Sequence, residues 1–124
     1  MSATGTFEKA ETKQPSQIIK KSTSDTMRSM VYTARQSTFP GQDKAGYEVG
    51  GKTGTSQTYR NGEYVFDQTI ASYLGYGGGS SPRYVIMVEI FRDGRSLQGG
   101  IDAMPIFTEI SNWMIDYLKL QPKG

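Results

Sequence analysis

The stretch that decides the fold runs Tyr47-Glu48-Val49-Gly50-Gly51-Lys52-Thr53-Gly54-Thr55-Ser56-Gln57-Thr58-Tyr59-Arg60-Asn61-Gly62. The β-branched residues Val49, Thr53 and Thr55 recur at intervals of two or four, which predicts a strand over 47–59. Its glycines lower strand propensity and point to something approaching this backbone closely. Asn61-Gly62 is a strong hairpin signal and turns the chain into a second run, Thr69–Tyr76, in which Ile70, Ser72, Leu74 and Tyr76 share one face. After the turn Gly77-Gly78-Gly79-Ser80-Ser81-Pro82, the segment Tyr84–Phe91 is nearly continuously apolar. It reads as a strand buried on both faces and as the best core candidate.

Working outward, Ser22-Thr23-Ser24-Asp25 supplies helix-capping groups, and Met27, Met30, Val31 and Ala34 follow at helical spacing. A helix is predicted over 24–36, broken by Phe39-Pro40-Gly41-Gln42-Asp43. On the far side of the strands, a last helix begins near Ala103 with Pro105 in its first turn. There Ile106, Ile110, Trp113 and Tyr117, flanked by Phe107, Met114 and Leu118, form a stripe wide enough to pack on a sheet. Trp113 reads as core. Residues 1–20 are polar with only Phe7, Ile18 and Ile19 to bury, and read as an irregular lead-in to a unit over 21–124. The order of helix, three-stranded antiparallel sheet and helix makes the fold class α+β.

The 124 residues suffice for one domain, and the net charge of +2 argues against disorder despite a lean aliphatic content. There is no cysteine and no histidine, which excludes disulfides, thiol catalysis, the usual zinc sites and a Ser-His-Asp triad. No metal and no cofactor is expected. The basic surplus is scattered rather than blocked, so no nucleic-acid partner is expected. No run approaches a membrane span and no signal peptide is seen.

Chemistry concentrates in Gly50-Gly51-Lys52-Thr53-Gly54-Thr55-Ser56-Gln57. Glycines around a strand let a flat substrate lie against the backbone and pair with it as an extra strand. Thr53 and Thr55 fall on one side, so their hydroxyls and the intervening amides converge, and Lys52 beside them favours a carboxylate or a developing oxyanion. The bland alternative is an ordinary turn or exposed edge, since Lys-Thr-Gly is short. Gly46 to Thr53 also meets the letters of a phosphate-binding loop, Gly-x-x-x-x-Gly-Lys-Ser/Thr, but Gly54-Thr55-Ser56-Gln57 makes a poor helix start.

Five landmarks in order, namely Gly51–Gln57, Ala71–Tyr76, the Pro82-Arg83-Tyr84 entry, Gly99-Gly100 and Ala103-Met104-Pro105-Ile106-Phe107-Thr108-Glu109-Ile110, resemble the end of the class B penicillin-binding proteins. Upstream, Gln17–Ser22 and the helix to Arg35 resemble the segment before that family's Lys-Thr-Gly strand. The resemblance implies a serine D,D-transpeptidase that cross-links peptidoglycan stem peptides, is acylated by β-lactams and works at the outer face of the bacterial cytoplasmic membrane. Such enzymes combine Ser-x-x-Lys, Ser-x-Asn and Lys-Thr-Gly. Only the third occurs here: no Ser has Lys at i+3, and Ser111-Asn112 lacks the spacer.

Carried over residue by residue, the resemblance assigns Lys52 to the positive wall of the cleft and, with Thr55, to catalysis. It assigns Thr53, Gly54 and Thr55 to substrate binding, with the Thr55 amide as one of two oxyanion donors. Losing one such donor costs about 3 kcal/mol, whereas losing the nucleophile removes the acyl-enzyme route. The chain therefore reads as a fragment, inactive alone, whose partners are the stem peptide or β-lactam in an intact parent, the N-terminal half of the domain, or another copy through the Tyr84–Phe91 edge. Two other readings remain at this point: a piece of a β-lactam sensor domain, and a stand-alone interaction module. Tyr59, Arg60 and Tyr64 read as a solvated hairpin tip.

Overall fold

A computed structural model describes residues 16–123, the side chain of Phe66 excepted. The lead-in up to residue 15, with Phe7, lies outside the described residues. Helix α1 (Lys21–Thr38) starts earlier than the capping pattern predicts, with Lys20 at its cap making no side-chain bond. Asp25 serves inside the helix instead, accepting from Lys21 Nζ at 2.6 Å in an i,i+4 pair.

The predicted apolar stripe of α1 is not its packing face. Met27 and Met30 are exposed, as is Ala34, Val31 is half-buried, and the buried residue is Arg35. The reason is geometric. Asp43 in the following loop, Tyr73 in the sheet and Thr108 in the last helix converge on Arg35, so a charged, hydrogen-bonding face turns inward.

Strands β1 (Glu48–Arg60), β2 (Glu63–Gly78) and β3 (Pro82–Ile90) follow, and among the described residues they form one sheet in the order β1-β2-β3, both pairs antiparallel. The hairpin signal holds, with Asn61 at φ 54° and Gly62 at φ 88°, the left-handed values of a type I′ turn. Strand β2 begins well before Thr69 because pairing resumes beyond a bulge, the register passing from Gln57↔Thr69 to Thr58↔Val65. Gln68, buried at that bulge, accepts from the Gly94 amide at 3.0 Å.

Strand β3 is covered on one face only, a correction to the expectation of burial on both. Tyr84 and Val88 are buried, whereas Val85 and Met87 are 71% and 60% exposed. Among the described residues, the face of Val85 and Met87 carries only α1, on its β1 side, where the Tyr76 hydroxyl reaches Arg28 O. A π-helical turn (Gly99–Ala103) leads into helix α2 (Met104–Tyr117), which packs on the face carrying Tyr73, Tyr84 and Val88. Neither Ile18 nor Ile19 protects the open face or edge, since both are exposed.

The packing face of α2 is also rotated from the predicted stripe. Met104, Phe107, Thr108, Ser111 and Ile115 are buried, while Ile106, Ile110, Tyr117 and Trp113 (57% exposed) face outward, Trp113 stacking on Tyr117 at 4.7 Å. Thr108 and Ser111 are small enough for close approach, and each is satisfied internally. Thr108 Oγ1 donates to Met104 O at 3.0 Å, and Ser111 Oγ shares a 2.8 Å bond with the Tyr84 hydroxyl. Close contact with satisfied polar groups outweighs a larger apolar stripe held farther off. The core is Val49, Ala71, Tyr73, Tyr84, Val88, Ala103, Met104, Phe107 and Ile115, each large apolar side chain contributing about 1.5–3 kcal/mol of burial.

Candidate functional site

Lys52, Thr53, Gly54 and Thr55 lie in the middle of β1, at the sheet's edge among the described residues. The phosphate-loop alternative is overturned here: after Thr53 the chain continues as strand to Arg60, so no helix N-terminus is presented.

Alternation along the strand sends Thr53 and Thr55 toward the face bearing the π-helical turn and Lys52 toward the open face. Thr55 Oγ1 accepts from the Gly99 amide at 3.2 Å, and the Thr53 methyl lies near Gly100. Lys52 bends round the strand, its Nζ donating to Thr53 O at 2.8 Å and to Thr53 Oγ1 at 3.2 Å. The structure thus brings the Lys52 ammonium to the Thr53 hydroxyl, while the Thr55 hydroxyl is anchored behind the strand. Gly99 is the residue that permits this backing, since a Cβ there would sit 2.5 Å from both Gly54 O and Ser72 O.

The glycines around Lys52 do not leave room for a flat substrate, contrary to the sequence expectation. A Cβ on Gly50 would meet the Tyr76 ring at 2.5 Å, one on Gly51 the Tyr73 ring at 2.3 Å, and one on Gly54 the Ser72 hydroxyl at 2.4 Å. Cross-strand side chains of β2 fill those spaces. What remains open is the outer edge of β1 and a groove of about 420 Å³ between α1 and the sheet face turned away from α2, lined by Met27, Val31, Lys52, Leu74, Pro82 and Val85 among others. Its walls are mainly apolar with one ammonium at the rim.

Beneath the strand lies a buried polar cluster that sequence reading did not single out. The Arg35 side chain is wholly buried and forks onto Asp43, Nε to Oδ2 at 2.8 Å and Nη2 to Oδ1 at 2.6 Å. Its Nη1 donates to the Tyr73 hydroxyl at 2.8 Å and its Nη2 to Thr108 Oγ1 at 2.9 Å. Burial alone would lower the Arg35 pKa, but the bonds to Asp43 and Tyr73 override it and hold it above the ordinary value. Tyr73 titrates above a free phenol because of burial, offset in part by Arg35. On the opposite face the single Tyr76 hydroxyl proton is shared between Arg28 O at 2.9 Å and Glu48 Oε1 at 3.1 Å, and burial with the neighbouring carboxylate raises its pKa strongly. These partners are far apart in sequence, so only the fold reveals them.

Tyr59 and Tyr64 pair edge to face at 5.2 Å at the hairpin tip and both are exposed, while Arg60 bonds Asp93 at 3.1 Å. Among the described residues no group of three or more carboxylates comes together to hold a metal.

The family model described as penicillin binding protein transpeptidase domain matches residues 1–112. The probable peptidoglycan D,D-transpeptidase PenA of Neisseria meningitidis is 31% identical over 120 residues, covering 94% of this chain and 21% of that protein. Penicillin-binding protein PbpB of Mycolicibacterium smegmatis is 31% identical over 123 residues, covering 90% and 19%. Among solved structures, penicillin binding protein 3 from Mycobacterium tuberculosis complexed with ampicillin superposes with a TM-score of 0.67 at 27% identity, covering 83% of this chain and 25% of that one. The transpeptidase domain of Burkholderia pseudomallei penicillin-binding protein 3 gives 0.67 at 27% identity, covering 83% and 32%. The chain thus spans about a fifth of the length of these curated relatives.

Proposed function

The chain belongs to the penicillin-binding protein transpeptidase domain family, and from that premise we propose that it supplies the Lys-Thr-Gly wall of a peptidoglycan D,D-transpeptidase. The observation that carries this reading is the placement of Lys52, with its ammonium on the Thr53 hydroxyl, on an edge strand backed rigidly by the π-helical turn. An ammonium beside a hydroxyl at a strand edge binds the terminal carboxylate of a stem peptide or a β-lactam, while strand amides pair with its backbone. Lys52 supplies charge, Thr53 a hydroxyl donor, Gly54 backbone groups at the open strand edge, and the Thr55 amide one of two donors to the developing oxyanion.

No Ser-x-x-Lys or Ser-x-Asn lies within these residues, so nucleophile, base and second oxyanion donor must come from a polypeptide that packs on the open face. Residues 21–124 make up the C-terminal portion of that transpeptidase domain, and the intact protein works at the outer face of the cytoplasmic membrane. Among the described residues no helix is long and apolar enough to cross a membrane. Ser-x-x-Lys is what turns binding into acylation, and without it the chain alone is catalytically silent.

The test has two parts. Intact mass after incubation with excess benzylpenicillin will show no adduct, and a stoichiometric gain would refute the assignment of the nucleophile elsewhere. An amide chemical-shift titration with millimolar benzylpenicillin will move Lys52–Thr55, and Lys52→Ala will abolish the response. Shifts confined to other residues would overturn the site.

A further inference from the structure

Strand β1 is gripped on both faces, immediately before Lys52, by tyrosines that reach across it from β2. The Tyr73 ring passes on one face in the space that only a glycine at 51 leaves, and the Tyr76 ring passes on the other in the space left by Gly50. Each hydroxyl then ends on α1: Tyr73 accepts from Arg35 Nη1 at 2.8 Å, and Tyr76 donates to Arg28 O at 2.9 Å. A Cβ on Gly51 would lie 2.6 Å from the Tyr73 hydroxyl oxygen itself, so the point that Arg35 holds is the point that touches the backbone beside Lys52.

We propose that Arg35 is a positioning residue for the Lys-Thr-Gly strand, acting through Tyr73 to fix the height of β1 at Gly51 and hence the placement of Lys52, Thr53 and Thr55. The inference rests on the proposed function of that strand in binding a carboxylate.

The chemistry of the cluster supports this role over a purely stabilising one. A buried ion pair seldom adds net stability over apolar packing of the same volume, because desolvation offsets the attraction. A guanidinium has donors in a fixed plane, and here each nitrogen has an assigned acceptor: Asp43 in the loop before β1, Tyr73 in β2 and Thr108 in α2. The guanidinium carbon also lies 5.4 Å from the Tyr73 ring centroid and 5.1 Å from that of Phe107, within reach of a cation–π attraction. Four elements therefore meet at one planar group, and of its acceptors it is Tyr73 that supplies the atoms nearest the Gly51 Cβ position beside Lys52. Lysine, a point charge on a flexible stem, does not reproduce three directed contacts.

Tyr73→Phe keeps the ring under Gly51 and removes the acceptor, whereas Thr108→Val removes another acceptor of the same guanidinium, one on α2 that is not among the atoms nearest the Cβ positions of Gly50, Gly51 or Gly54. The measurement is amide exchange on the full chain, comparing protected amides of Gly51–Thr55 with those of Tyr84–Val88 in the same sheet. In Tyr73→Phe and Arg35→Lys the ratio of exchange rates, β1 over β3, will rise about tenfold, as selective local opening requires. In Thr108→Val it will stay at the wild-type value even if overall stability falls. An unchanged ratio in Tyr73→Phe, including an equal loss of protection in both strands, would overturn the proposal, since that is the signature of a general structural role. Should Tyr73→Phe not fold, Arg35→Lys decides by the same ratio, and failure of both to fold would likewise assign the cluster to the whole fold. Repeating the benzylpenicillin titration on each variant separates the two readings. A wild-type chain without a response at Thr53 and Thr55 defeats the functional assignment while leaving the exchange ratio to judge the positioning role.

Discussion

Gly51 has a spacing role that its sequence context disguises. Strand glycines are costly in conformational entropy, and here the cost is offset by the Tyr73 ring that occupies the vacated space. Gly51→Ala places a methyl 2.3 Å from Tyr73 Cε1, so the ring or the strand must shift, and a loss of about 1–3 kcal/mol is expected, typical of overpacking. Urea unfolding will register it, and an unchanged midpoint would mean the ring has an alternative seat. The tyrosines also set an alkaline limit. Tyr73, Tyr76 and Tyr84 all titrate above their ordinary value, with burial the leading cause. A raised phenol pKa means that the folded state keeps protons the unfolded chain releases, so this stability is fully present below the unfolded phenol pKa of about 10 and is lost as pH rises through the folded values. Phenolate absorbance will show these three of the eight tyrosines ionising only with unfolding. Their ionisation in a chain that stays folded would contradict the burial argument.

At the scale of elements, α1, β3 and α2 share a lesson about apolar stripes. Each carries hydrophobic residues that this fold leaves outside: Met27 and Met30, Val85 and Met87, Ile110 and Trp113. Those on the open sheet face have a clear physical meaning. Leu74, Val85 and Met27 line one groove beside Lys52, and β3 has no second strand partner among the described residues. An apolar strand with a free edge is a template for association. Alone in solution, the chain is expected to self-associate with concentration through β3. Met87→Lys, a charge on that uncovered face, will shift sedimentation toward the monomer, and wild-type chain that remains strictly monomeric at high concentration would show that the edge is already protected.

For the whole molecule, α2 with the π-helical turn seals one face of the sheet, while α1 covers the β1 side of the other and is fastened by Arg35, Asp43 and the two tyrosines. Since the cluster ties α1 to β2 and α2, the helix should not detach independently. Urea denaturation followed by helical and aromatic signals will give one shared transition, with a free energy near or below the ~5 kcal/mol lower end for natural domains. Loss of helical signal well before the aromatic signal would show that the cluster does not bind α1 to the rest.

The α+β class, the hairpin at Asn61-Gly62, the three strand segments, the two helices and the Lys-Thr-Gly motif were all legible in the sequence. Those features rest on local chemistry: period-two and period-3.6 patterns, left-handed turn residues and a motif whose groups are neighbours along the chain. Which face each helix buries was decided only in three dimensions. Arg35 replaces Met27 and Met30 as the inward residue of α1 because Asp43, Tyr73 and Thr108 converge on it, and Thr108 and Ser111 displace Trp113 from the core because α2 can then approach the sheet closely. The same holds for Gly50 and Gly51, whose spaces take Tyr76 and Tyr73 rather than a ligand. Hydrophobicity along a chain reports how much each residue gains by leaving water; which residues leave it is set by the shape and hydrogen-bonding partners of the surface they meet, and those come from residues distant in sequence.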